Sequence, residues 1–218
     1  MSNDEPLQLI ISSPSGAGKS TLTARLIREV GDLRFSVSHT TRRPRETELN
    51  GREYHFVDRT EFEALIEAGA FLEWAEVHGN LYGTSRSEIQ RSRAARGIIF
   101  DIDHQGARQI KSCSPDAVAV FILPPSMRVL EERLRGRRSE DDATVRRRFD
   151  AAREEIAHYG LFDYVLVNDD LEEATRKLTS IFLAEECRRA RASRYAERLL
   201  AEGRGFGGTL PPGRPPRA

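Results

Sequence analysis

Short apolar runs alternate along this chain with stretches of helical period. Residues 7–12 (LQLIIS) lead into the polar SSPSGAGKST, after which Leu22, Leu26, Ile27 and Val30 recur on one helical face. The segment therefore reads as strand, loop, helix. Further β-branched runs at 98–102, 118–123 and 164–167 have the character of strands covered on both faces, and helical patterns separate them. This alternation predicts an α/β core, a parallel sheet flanked by helices.

The pattern breaks twice. Between 38 and 96 a polar stretch, TTRRPRETELNGREY, precedes strand candidates at 54–57 and 71–77 with a helix at 59–68 between them, which predicts an inserted mixed subdomain. The second break, RGRRSEDDATVRRR at 135–148, is too charged for a core and lies between helical stretches at 127–134 and 144–158, so a mobile lid is expected there. From 203 onward, GRGFGGTLPPGRPPRA has too much glycine and proline to build a core, and a disordered tail is expected. The chain thus divides into one unit at 7–187 (core 7–37 and 97–187, insert 38–96, lid 135–148) and an arginine-rich helix end and tail at 188–218. No repeat recurs at 20 to 50 residues, which excludes solenoids and propellers.

Composition narrows the function classes. At 218 residues the chain can bury a core without disulfide or metal staples. Its longest apolar run, 117–123, is far short of the roughly 20 residues of a membrane helix. The first residues, MSNDEP, are acidic where a signal peptide is basic, so the expectation is a cytoplasmic protein with no membrane partner. Cys113 and Cys187 form no CxxC or Cys/His grouping, which leaves neither a disulfide framework nor a zinc site to infer. The 34 basic and 34 acidic residues cancel, against a protein that holds long nucleic acid by an overall basic surface. Yet 31 of the 34 basic residues are arginine, with five between Arg34 and Arg52 and seven between Arg133 and Arg148. Planar guanidinium forks in such clusters suit phosphate.

Ser13, Pro14, Ser15, Gly16, Ala17, Gly18, Lys19, Ser20 and Thr21 connect the first strand to the first helix, the context in which a glycine-rich match becomes a phosphate loop. Glycines let successive N–H groups and the helix N-terminus point at phosphate oxygens. Lys19 supplies charge to the terminal phosphates, and Ser20 offers a hydroxyl to a nucleotide-borne Mg2+. The match departs from GxxxxGK[ST] at its first position, where Ser13 replaces glycine and is tolerated only with negative φ.

Downstream, SxSxTTRxPRxxExxGxxY (36–54), FxEWA (71–75), GxxYGT (79–84), DIDxQG (101–106) and VNDD (167–170) follow in order. Over about 7–184 the chain resembles the guanylate kinases, P-loop nucleoside monophosphate kinases that move a phosphoryl group from ATP to GMP. The resemblance implies a P-loop NTPase-like core with a nucleoside monophosphate-binding insert and a lid. It also implies ATP, GMP and Mg2+ as ligands, and leaves open whether dGMP is a second acceptor.

Carried over by position, the acceptor contacts are Ser38, Arg42, Arg45, Tyr54, Glu73, Tyr82, Thr84 and Asp101, with Asp103 as a second carboxylate near guanine or the metal's water shell. Thr84 stands where many members have serine and keeps the hydroxyl. Arg133 and Arg137 fall to the ATP phosphates, Asn168 and Asp169 to the adenine side. Arg148 bridges donor and acceptor while Arg45 meets it from the acceptor side. Catalysis then falls to Lys19, Arg45, Arg137 and Arg148, with Gly136 as a candidate hinge.

The residue chemistry agrees. Guanine presents a ring N–H and an exocyclic amine beside a carbonyl, so Glu73 can accept from the donors while Ser38 and Thr84 donate to the carbonyl. Adenine reverses that polarity and would leave a buried carboxylate unpaired. Two alternatives are a related kinase acting on another phosphorylated ribose compound, which would not need these readers, and a non-catalytic guanylate kinase-like interaction module. The second typically damages the phosphate loop or lid arginines, whereas Gly18, Lys19, Ser20, Arg137 and Arg148 all stand here.

Overall fold

The structure is a computed structural model and describes residues 6–77, 79–136 and 142–204. Its core sheet has five parallel strands in the order β2-β7-β1-β8-β9: β1 (Leu7–Ser12), β2 (Leu33–Phe35), β7 (Gly97–Asp101), β8 (Val118–Leu123) and β9 (Tyr164–Val167). The three central strands are apolar on both faces because both faces are covered. Leu7, Leu9 and Ile11 of β1, Ile99 of β7 and Val118, Val120 and Ile122 of β8 join helices α1 (Lys19–Val30) and α7 (Leu171–Glu186) in one buried cluster. The alternate residues Ile10, Ile98, Phe100 and Ala119 pack against α4 (His104–Cys113) on the other side. Edge strand β9 instead exposes Val165 and Val167 and buries Leu166.

A second sheet, in the order β4-β3-β6-β5, is built from β3 (His39–Thr40), β4 (His55–Phe56), β5 (Phe71–Val77) and β6 (Asn80–Ser85). It is mixed: β3 runs parallel to β4 and antiparallel to β6, and β5 and β6 form an antiparallel pair. Helix α2 (Arg59–Glu67) presses Phe62 onto this sheet, where it stacks on Phe71 at 4.6 Å between centroids. Short helix α3 (Ser87–Arg91) leads back to the core, and its buried Glu88 accepts the Val37 N–H at 3.0 Å where the chain leaves the core sheet. Helices α5 (Met127–Arg135) and α6 (Asp142–Ala157) pack on one another through Leu130, Leu134, Val145 and Ala152.

Side-chain caps fix where several helices start. Asp58, Asp103, Ser126 and Asp170 each accept a backbone N–H in the first turn of α2, α4, α5 and α7.

Two boundaries differ from the sequence expectation. The segment expected as lid is helical at both ends, since α5 continues through Arg135 and α6 begins at Asp142. The expected tail begins inside α8 (Arg189–Arg204), and residues 205–218 lie outside those described. Strands β2, β3 and β6 leave no readable pattern in the sequence, because two or three residues hold too little periodicity and the β6 segment, NLYGTS, is rich in small and polar residues.

Candidate active site

The site lies at the carboxyl edge of the core sheet, where open α/β folds bind ligands. Ser12 ends β1, Asp101 ends β7 one strand away in register with Ile11, and Asn168 follows β9. The phosphate loop leaves this edge from β1. Gly16 and Gly18 have φ of 93° and 95°, left-handed values that disfavour any side chain, and Gly18 caps α1. Ser13 is not among the positive-φ residues, which satisfies the condition for serine in place of glycine.

The loop is clamped from outside. A Cβ on Gly18 would stand 2.3 Å from Asn168 Nδ2, and that amide donates to the Ala17 carbonyl at 2.7 Å. Asn168 is buried, so it braces the loop, while Asp169 beside it is exposed and Asp170 is spent on the α7 cap. Gly16 sits against Leu130 and Leu134, so α5 forms a floor beneath the loop.

Lys19 is ion-paired with Asp101. Asp103 serves the backbone instead, since its Oδ1 accepts the Gln105 and Gly106 N–H groups at 3.0 Å each and its Oδ2 accepts from Gln105 Nε2 at 3.2 Å. Of the two carboxylates that sequence left equivalent, Asp101 faces the loop and Asp103 holds the start of α4.

On the insert, Glu73 is buried, with 5% of its surface exposed. A bulge between Phe71 and Glu73 shifts the register of β5 and brings Glu73 opposite Thr84 on β6. Burial pushes the Glu73 carboxyl up to about 7, against the pull of its hydrogen bonds with Thr84. The Ser38 and Thr84 hydroxyls are 3.1 Å apart, so one carboxyl and two hydroxyls converge. Gly106 allows this: a Cβ there would fall 2.7 Å from Glu73 Oε2.

Tyr54 and Tyr82 meet edge to face at 5.9 Å, and the Arg42 guanidinium lies 5.4 Å from the Tyr54 ring centre. Arg42 donates through NH2 to both Glu48 carboxylate oxygens at 2.9 and 3.0 Å, and Glu48 also accepts the Arg45 N–H at 2.8 Å. These contacts hold the Glu48 carboxyl below the usual carboxylate range. The Arg45 side chain is exposed. Sequence reasoning missed Glu48, although its place three residues after Arg45 in a turn is the spacing at which a carboxylate reaches a backbone N–H.

On the opposite side Arg148, from α6, donates to Ser15 Oγ at 3.0 Å. Arg133 donates through NH2 to the Asn168 carbonyl at 3.3 Å, while its NH1 is buried and has no hydrogen-bond partner among the described residues. Arg137 lies outside the described residues. Structure therefore brings Lys19, Asp101, Ser15, Arg133, Arg148 and Asn168 to one edge, and on the insert it brings Glu73 to Ser38 and Thr84 and Arg42 to Tyr54 and Tyr82.

Among the described residues no group of three His, Cys, Asp or Glu side chains could hold a metal ion, and Ser20 is exposed at the start of α1. Those residues fit a metal carried by phosphates and water, with one hydroxyl from the protein. No helix among them is long and apolar enough to cross a membrane.

The guanylate kinase family model matches residues 6–185. A guanylate kinase of Myxococcus xanthus is 52% identical over 187 residues, covering 85% of this chain and 90% of that protein. One of Aromatoleum aromaticum is 50% identical over 183 residues, covering 84% and 90%. The crystal structure of guanylate kinase from Anaplasma phagocytophilum superposes with a TM-score of 0.67 at 33% identity, over 87% of this chain and 90% of that one. By sequence over most of its length, the chain belongs to the guanylate kinase family.

Proposed function

We infer that the carboxyl edge of the core sheet holds ATP on the phosphate loop and that the insert holds GMP, with the two phosphates meeting between Lys19 and Arg148. The reaction is ATP-dependent phosphorylation of GMP, giving ADP and GDP. One observation carries the acceptor assignment. A buried carboxyl, Glu73, stands against Thr84, whose hydroxyl is 3.1 Å from that of Ser38, the acceptor and donor set that guanine requires.

The nucleophile is an oxygen of the GMP phosphate, whose second pKa is roughly 6, so it is mostly deprotonated near neutral pH without a general base. Catalysis then rests on alignment and neutralised charge. In this reading Lys19 and Arg148 meet the transferring group from the donor side and Arg45 from the acceptor side. Arg137 is given the same role on the resemblance alone. Arg42, Tyr54 and Tyr82 hold the acceptor phosphate. Arg133 is given the ATP phosphates on the resemblance, and Asn168 serves ATP by bracing the loop from below. Asp101 gives up Lys19 to the nucleotide and turns to the guanine side. Ser20 would take the one protein position on Mg2+, which neutralises the β- and γ-phosphates when bound.

A coupled assay of ADP release with ATP, Mg2+ and each of GMP, dGMP, AMP, CMP and UMP tests the reading. Turnover with GMP and none with AMP is expected, and the dGMP arm reports on the ribose 2′ oxygen. Turnover with AMP in preference to GMP would overturn it.

A further inference from the structure

Helix α6 reaches the phosphate loop through Arg148, which donates to Ser15 Oγ at 3.0 Å, and its far end is seated on the core. His158, the residue after α6, stacks its ring on that of His104 in the first turn of α4, with centroids 3.8 Å apart and planes at 11°. Both residues are half-buried. The Nδ1 atom of His104 is buried with no hydrogen-bond partner among the described residues, so on that side the ring offers packing and no hydrogen bond. Burial, and then the nearby His158, hold His104 below the usual imidazole range, which leaves an uncharged face for the stack at neutral pH.

Beyond the stack the chain is tied down again. Phe162 packs on Phe121 of β8 at 4.8 Å between centroids, and Lys111, two turns along α4 from His104, donates to both Asp163 carboxylate oxygens at 3.0 and 2.9 Å. From His158 back to Arg148 the helix runs roughly 15 Å as a stiff rod, so a tilt of about 5° at the stack would move Arg148 by roughly 1 Å. A misplacement of that size can cost on the order of 10²-fold in rate. The same turn of α4 holds Gly106, where a Cβ would fall 2.7 Å from Glu73 Oε2. One turn of helix thus borders both the seat of α6 and the carboxyl assigned to guanine.

We propose that His104 and His158 are positioning residues for phosphoryl transfer, whose ring stack fixes α6 on α4 at the angle that carries Arg148 to the phosphate loop. The inference rests on assigning Arg148 to the transferring group. It adds that this donor-side arginine is aligned through α4, the helix that also borders Glu73.

Steady-state kinetics of the full chain with ATP, Mg2+ and GMP test it. His104→Ala and His158→Ala are each expected to lower kcat about tenfold while KM for GMP and KM for ATP stay within about twofold, since the stack acts through Arg148 on the transferring group. His104→Phe restores a flat face without the buried nitrogen and should return kcat to within about twofold of wild type. In an Arg148→Ala background, His104→Ala should cost less than about twofold more, because residues acting as one unit are not additive. Wild-type kcat in either alanine variant, a His104→Phe enzyme no faster than His104→Ala, or a full further loss in the Arg148→Ala background would overturn the proposal. Where an alanine variant melts below the assay temperature, His104→Leu takes its place with the same outcomes, since leucine keeps the apolar volume and lacks the flat face. Arg148→Ala alone separates the two levels. If it retains full turnover, the underlying assignment of Arg148 fails; if it loses turnover while His104→Ala works like wild type, only the role of the stack fails.

Discussion

Glu73 shows how one side chain can be set at a cost to the fold. Its carboxyl titrates at about 7 instead of near 4.5, so between those values the folded chain holds a proton that the unfolded chain has released. Stability from this group is therefore full below about pH 4.5 and is lost as pH rises through 7. His39 works in the opposite direction. Burial and the neighbouring His55 lower it to about 4, so its contribution is lost as pH falls below 6.5. The two overlap, and the difference between wild type and Glu73→Gln isolates the carboxyl. The variant should gain on the order of 3 kcal/mol at pH 8 relative to pH 4.5, as a shift from 4.5 to about 7 implies, read from denaturant melts at both values. GMP binding has the reverse preference, since guanine donors need the ionised form. KM for GMP should fall as pH rises through 7 in wild type, whereas Glu73→Gln should show a KM at least tenfold higher and only the titration of the GMP phosphate. A GMP KM equal to wild type would remove Glu73 from guanine recognition.

At the scale of elements, the register of β5 and the start of α4 are one device. The bulge turns Glu73 toward Thr84, and Gly106, in the first turn of α4, leaves room for the carboxylate. Gln109 on the next turn locks the arrangement, donating to the Trp74 carbonyl at 2.8 Å and accepting its N–H at 3.1 Å. Alanine ordinarily strengthens a helix by roughly 1 kcal/mol relative to glycine. Here Gly106→Ala is expected to raise KM for GMP by about tenfold, because an added methyl meets Glu73 Oε2 and must move the carboxylate. The KM for ATP should be nearly unchanged. Equal rises in both would show a general disturbance of the sheet edge.

Over the whole molecule, the groups assigned to the two nucleotides come from three bodies: the core with its loop, the insert with Glu73 and Arg42, and the α5–α6 pair with Arg133 and Arg148. The expected tightening of these around the phosphates excludes water that would otherwise take the phosphoryl group. Small-angle scattering with GMP and the imido analogue together should show a smaller radius of gyration than with either alone. No change would mean that the three bodies already stand in their reacting arrangement. A net charge of zero is the average over a chain whose arginines bunch at 34–52 and at 133–148.

What the amino-acid order determined is the part governed by neighbours. The alternating apolar runs of β1, β7 and β8, the strand, loop and helix around GAGKST, and the spaced motifs from Ser38 to Asn168 were legible because each depends on a few consecutive residues and their period. Tertiary structure decided how distant residues divide the work. It separated Asp101 from Asp103, which look alike in DID, by giving one to Lys19 and the other to a helix cap. It placed Asn168 beneath Ala17, 151 positions away, and it brought Glu48 to Arg42. The Asn168 contact carries no local signature, since its partner lies 151 positions away and only packing shows which loop a side chain meets. Burial and mutual distance set their chemistry, and both arise only when the chain closes on itself.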